Sequence, residues 1–95
     1  MANSNLNMDK TAELKKIRDE YAFAVREAER RRIPVHRLLN ESRLRSMQST
    51  LHSILLTAEH AKTAEELERA NEAAVLFNAI SSVIKSFQFE RRIAV

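Results

Sequence analysis

The chain has 95 residues, a formal net charge of +3, no glycine, no cysteine, no tryptophan and a single proline, Pro34. That length makes one domain with a modest core, and 44% hydrophobic with 31% charged residues is too apolar for a disordered chain. Without cysteine there are no disulfides, thiolate nucleophiles or sulfur-based zinc sites. Without glycine there is no phosphate cradle, dinucleotide fingerprint, EF-hand turn or nucleophile elbow, because each needs positive φ or close backbone approach.

Residues 1–8 are polar and asparagine-rich, which reads as a flexible N-terminal tail ahead of one helical-bundle domain over 9–95. The tail lacks the basic and apolar runs of a secretory leader. Asp9 is the expected N-cap of a first helix running to about Arg32. Its core stripe is Leu14, Ile17, Tyr21, Ala24, Val25 and Ala28, which share one helical face. Phe23 points to the opposite side, as a lone exposed aromatic or as the mark of a second contact face.

Ile33-Pro34 ends this helix, because the residue before proline resists the α conformation, and Pro34 suits the first turn of the next. In the second helix Leu44, Met47, Leu51, Ile54, Leu55, Ala58 and Ala61 form one stripe. Val35, Leu38 and Leu39 fall on the other side of the wheel, which later carries Ser42, Ser46, Ser49 and Ser53. Either the helix breaks near residues 40–42, or one straight helix shows different faces to different neighbours. The straight helix is favoured, since nothing in Asn40-Glu41-Ser42 forces a break. The serine face reads as solvated, since no base is spaced to activate its hydroxyls.

Thr63-Ala64-Glu65-Glu66 is a capping box that starts a third helix, from Ala64 to about Arg91. Leu67, Ala70 and Ala74 make its first half amphipathic. In the second half Leu76, Phe77, Ile80, Val83, Ile84 and Phe87 widen the apolar arc beyond that of the first half. One neighbouring helix does not cover such an arc, so these six residues are the expected self-association surface of a homodimer. The apolar stretch from Ala73 to Ile84 is well short of the roughly 20 residues that span a bilayer. The fold expected is all-α, an antiparallel bundle of three main helices, in a cytoplasmic protein with no membrane partner.

Chemistry-bearing constellations are few. His36, His52 and His60 stand in no metal-binding spacing, so no catalytic, cofactor-binding or metal residue is assigned and the chain does not read as an enzyme. The charges are uneven, however. Arg30, Arg31, Arg32, Arg37, Arg43 and Arg45 cluster around the first corner, and an antiparallel bundle returns Arg91 and Arg92 to the same pole. Glutamates crowd the opposite one. Arginine grips carboxylates and phosphates in bidentate fashion. The basic pole therefore suits another protein with an acidic surface or, as the second choice, nucleic acid. The overall reading is a small non-enzymatic binding protein (a regulator, inhibitor, adaptor or chaperone) of the kind common in bacteria and their phages. The fold expectation is checked by far-UV circular dichroism, which should show helix with no substantial β component.

Overall fold

The computed structural model describes residues 2–94, with side-chain environments from Thr11 to Ile93; Met1, at the head of the expected tail, and Val95 lie outside the described residues. Three helices, α1 (Ala2–Arg31), α2 (Glu41–Thr57) and α3 (Ala64–Ala94), are joined by corners that contain the 3₁₀ turns Val35–Arg37 and Ala58–His60. No strand occurs among the described residues. The particle is elongated, 50 × 28 × 21 Å.

The helices alternate in direction, as cross-links between them show. Glu41 and Gln48 of α2 meet Arg91 and Ser81 of α3, so residue numbers rise on one helix as they fall on the other. Glu20 of α1 meets Arg43 near the start of α2. Thr11 and Arg18 of α1 meet Arg69 and Glu72 of α3, which places these two helices parallel. The α2–α3 contact is the most extensive of the bundle.

The core follows the expected stripes. Leu14 and Ile17 from α1, Leu44, Met47, Leu51 and Ile54 from α2, and Ala73, Leu76, Ile80, Val83 and Ile84 from α3 form one buried cluster. At about 1.5–3 kcal/mol for each large apolar side chain taken out of water, this cluster is the main stabilising term.

Four sequence expectations need correction. First, α1 begins at Ala2 rather than after Asp9; no proline or glycine lies in residues 2–9 to stop the helix there. Second, the straight second helix is replaced by its alternative, a break. After the 3₁₀ turn the chain is non-helical at Asn40, whose side-chain oxygen accepts from the backbone N–H groups of Ser42 (2.7 Å) and Arg43 (3.3 Å). The break lets Val35 and Leu39 pack onto the core from a side that a continuous helix would have pointed outward.

Third, Leu67 is exposed and Ala73, beside the expected Ala74, is buried, because the core-facing stripe of α3 is rotated from the one expected. Fourth, Leu76, Ile80, Val83 and Ile84 are buried within the single chain. They are therefore not available as a subunit interface, and Phe77 and Phe87 are half-buried against the same core. The wide arc is covered by α2 on one side and by α1 with the first corner on the other.

The first corner solves a problem set by the missing glycine. Arg32 takes φ 57, the left-handed conformation, and is the only described residue with positive φ. Its N–H donates to the Glu29 carbonyl (3.2 Å) and that of Ile33 donates to the Ala28 carbonyl (3.0 Å). These paired bonds form a Schellman closure, whose left-handed position is usually glycine. Arg32→Gly is expected to stabilise the fold by roughly 0.5–1 kcal/mol through relief of that strain, seen as a higher urea midpoint. Arg32→Val should lower the midpoint.

Candidate functional site

The arginine-rich pole is built where the C-terminus of α1, the first corner, the N-terminus of α2 and the C-terminus of α3 lie close. Its guanidinium groups divide into two kinds. Glu27 takes Arg30 in a two-point grip, Nη2–Oε2 2.8 Å and Nε–Oε1 3.2 Å, and also meets Arg31 at 3.4 Å. Glu41 takes Arg91 at 2.6 Å and Arg45 at 3.0 Å. Glu20 and Arg43, half-buried, form a bidentate pair with both N–O distances 2.9 Å. Arg32, Arg37 and Arg92 are exposed and form no ion pair among the described residues.

The structure therefore brings the eight arginines to one end but not into one patch. Arg30 and Arg31 stand on α1, Arg45 and Arg91 face each other across Glu41, and Arg43 is turned inward. Spacing shows Glu27 within reach of Arg30 and Arg31, and Glu41 within reach of Arg45, but not that Glu41 also takes Arg91, 50 residues away, or that Glu20 takes Arg43. The same ion pairs shift the carboxylates. Arg43 holds Glu20 below the ordinary carboxylate range, against the opposing effect of partial burial. Arg30 does the same for Glu27, and Arg91, with Arg45, for Glu41.

Between these groups lies a feature the sequence does not announce. His36, in the first corner, is buried, with Nε2 2.7 Å from Glu90 Oε1 and its ring edge-on to Phe87 at 5.2 Å between centroids. This pins the corner to the end of α3. His52 and His60 are exposed, His52 lying tilted against Phe77 at 6.2 Å between ring centroids. No three histidine or carboxylate side chains gather to hold a metal ion among the described residues.

Beside the pole runs an open groove of about 340 Å³, lined by Glu20, Phe23, Ala24, Glu27 and Arg31 of α1 and by Leu38 and Leu39 of the corner. Phe23, 63% exposed, forms its rim. The groove exists because the chain leaves the helix at residues 38–40 and lays two leucines alongside α1. Phe23 was legible in the sequence as an outward aromatic, but Leu38 and Leu39 were not legible as its neighbours, since that depends on the break. A second concavity, at the opposite pole, is lined by Leu14, Ile54, Ala58, Ala61, Glu66 and Arg69 among others and holds only about 130 Å³, below the roughly 300 Å³ at which small-molecule pockets begin.

That opposite pole carries the capping box. Thr63 Oγ1 accepts from the Glu66 N–H at 3.1 Å, while the Glu66 carboxylate accepts from Lys62 N–H at 3.2 Å, one residue short of the cap itself. The face of Ser42, Ser46, Ser49 and Ser53 is solvent-exposed throughout. No helix of the described residues is long and apolar enough to cross a membrane.

The lowered carboxylates set a pH dependence. A carboxylate whose folded pKa lies below its unfolded value contributes stability that is present above the unfolded value and is lost as pH falls through the folded one. The urea midpoint should therefore fall as the solution is acidified through and below the ordinary carboxylate range. Arg43→Met should lower the neutral-pH stability by on the order of 1 kcal/mol and flatten the acid slope, since Glu20 then titrates near its ordinary value. An unchanged slope would show that this pair contributes nothing.

No family model matches this chain, and neither a curated protein nor a solved structure matches it.

Proposed function

We propose that the protein acts by binding another protein, as a non-enzymatic cytoplasmic regulator, inhibitor, adaptor or chaperone that also forms a homodimer. The observation that carries this reading is the groove between α1 and the first corner. Its apolar lining, Phe23, Ala24, Leu38 and Leu39, is open to solvent rather than enclosed, and the charged lining residues Glu20, Glu27 and Arg31 are held in ion pairs. Arg32 and Arg37 stand next in the chain to two of its lining residues and have no ion pair among the described residues. An apolar trough with Arg32 and Arg37 next in the chain to its lining fits an amphipathic segment of a partner whose apolar side chains are flanked by carboxylates.

Nucleic acid is the weaker fit. Arg30, Arg31, Arg43, Arg45 and Arg91 are already held by glutamates, which leaves a thin basic surface for a phosphate backbone. A cysteine-free, glycine-free chain with no clustered metal ligands among its described residues also offers little for catalysis.

The test is a selection of peptides from a random library against the folded protein, followed by amide-shift mapping with the peptides obtained. Ligands should carry a helix-period apolar stripe and net negative charge, and should perturb Phe23, Ala24, Arg31, Leu38 and Leu39. Phe23→Asp, at an exposed position, and the pair Arg32→Glu with Arg37→Glu should each weaken binding tenfold or more, about 1.4 kcal/mol. Perturbations confined to other surfaces would refute the groove. A sub-micromolar Kd for DNA or RNA at about 150 mM salt, lost when Arg30, Arg31 and Arg32 become Ala, would replace a protein partner with nucleic acid.

A further inference from the structure

With the inner arc of α3 spent on the core, the outer face of that helix carries a second pattern. Val75, Ala79, Ser82, Ser86, Phe89 and Ile93 are spaced alternately four and three residues apart, the period of a helix-to-helix seam. The seam spans about 27 Å at 1.5 Å per residue. Its large members are left in solvent: Val75 is 68% exposed, Phe89 63% and Ile93 69%. The small residues sit in the middle and the large ones toward the ends. That suits two helices which approach most closely at Ala79, Ser82 and Ser86 and stay side by side along the seam, with Val75, Phe89 and Ile93 meeting their symmetry mates toward the ends.

The flanks of the seam are oppositely charged. One flank carries Lys85 and Arg92, both exposed and without an ion pair among the described residues. The other carries Glu90, whose side chain is half-exposed and uses only Oε1 on His36. In a parallel pair of such helices, a residue on the first flank faces the residue five positions further along on the second flank of its neighbour. Lys85 then meets Glu90 of the partner subunit, twice by symmetry. An antiparallel pair would instead set Lys85 against its own symmetry mate.

We infer that the outer face of α3 is the homodimer interface, with the two α3 helices packed in parallel about a two-fold axis through the Val75–Ile93 seam and fastened by reciprocal Lys85–Glu90 pairs. This rests on the self-association part of the proposed function but places it on residues other than Leu76, Ile80, Val83 and Ile84. It does not depend on the groove or on what fills it.

The experiment combines sedimentation equilibrium of the full chain at tens of micromolar with cysteine cross-linking, which is clean because the chain has no native cysteine. Wild-type protein should sediment as a dimer. Phe89→Asp should weaken the dimer tenfold or more while the helical circular dichroism signal is retained, since the side chain is exposed. Lys85→Glu and Glu90→Lys should each weaken it several-fold, and the double exchange should restore it. Val75→Cys alone should form a disulfide-linked dimer on oxidation.

A dimer insensitive to Phe89→Asp and to the charge exchanges would overturn the seam while leaving self-association intact. A monomeric wild type would overturn both. Cross-linking only when Val75→Cys is mixed with Ile93→Cys would overturn the parallel arrangement. A monomer that binds vesicles of anionic lipid through Phe89 and Ile93 would reassign the face to a membrane surface.

Discussion

Helix α3 turns Leu76, Ile80, Val83 and Ile84 toward the rest of the chain, and the need to bury that face constrains every other element. The stripe of Leu44, Met47, Leu51 and Ile54 on α2 covers one side. The other side is met by Leu14 and Ile17 of α1 and, nearer the end of α3, by Val35 and Leu39 of the first corner. The corner reaches that position only because the chain abandons helix between the 3₁₀ turn and Asn40. A straight second helix would have left Val35, Leu38 and Leu39 in solvent and part of the arc of α3 bare. The local cost of breaking the helix is limited by the Asn40 cap, which satisfies two N–H groups at the new N-terminus.

Polar groups then fix what the apolar core has brought together. At the pole where the chain turns, His36 reaches Glu90, Arg91 reaches Glu41 and Arg43 reaches Glu20, so each segment of the turn is tied to a neighbour by a charge-assisted bond. These pairs are partly exposed, so they register the helices more than they stabilise them. The same economy appears at the end of α1, where a left-handed residue is required and the chain supplies Arg32 in place of glycine.

The consequence for function is a division of surfaces. Residues that look sticky in the sequence of α3 are consumed by the fold, and the arginines that look like a single basic patch are largely neutralised by glutamates on adjacent elements. The surfaces left over are of another kind. One is a groove whose walls come from two separate segments, and the other is an outward face of α3 that the bundle does not use. The face of α3 is flanked by Lys85 and Arg92, cations without ion pairs among the described residues, and both surfaces would be invisible to an inventory of hydrophobic residues alone.

The sequence by itself determined the helical class, the three main segments, the Thr63 capping box and the stripes of α1 and α2, because these depend on period, capping and the absence of glycine, all of which are local. It marked Phe23 as outward-facing and the corner at Pro34 as basic for the same reason. Only the tertiary structure decided that the second helix breaks at Asn40, that the apolar face of α3 is covered within one chain, and that Arg43 goes to Glu20 and Arg91 to Glu41. Each of those outcomes turns on a partner far away in sequence. Asn40-Glu41-Ser42 permits either a helix or a break, and the choice falls to whichever buries Val35 and Leu39. A glutamate can pair with any nearby arginine, and which one is nearby is set by packing.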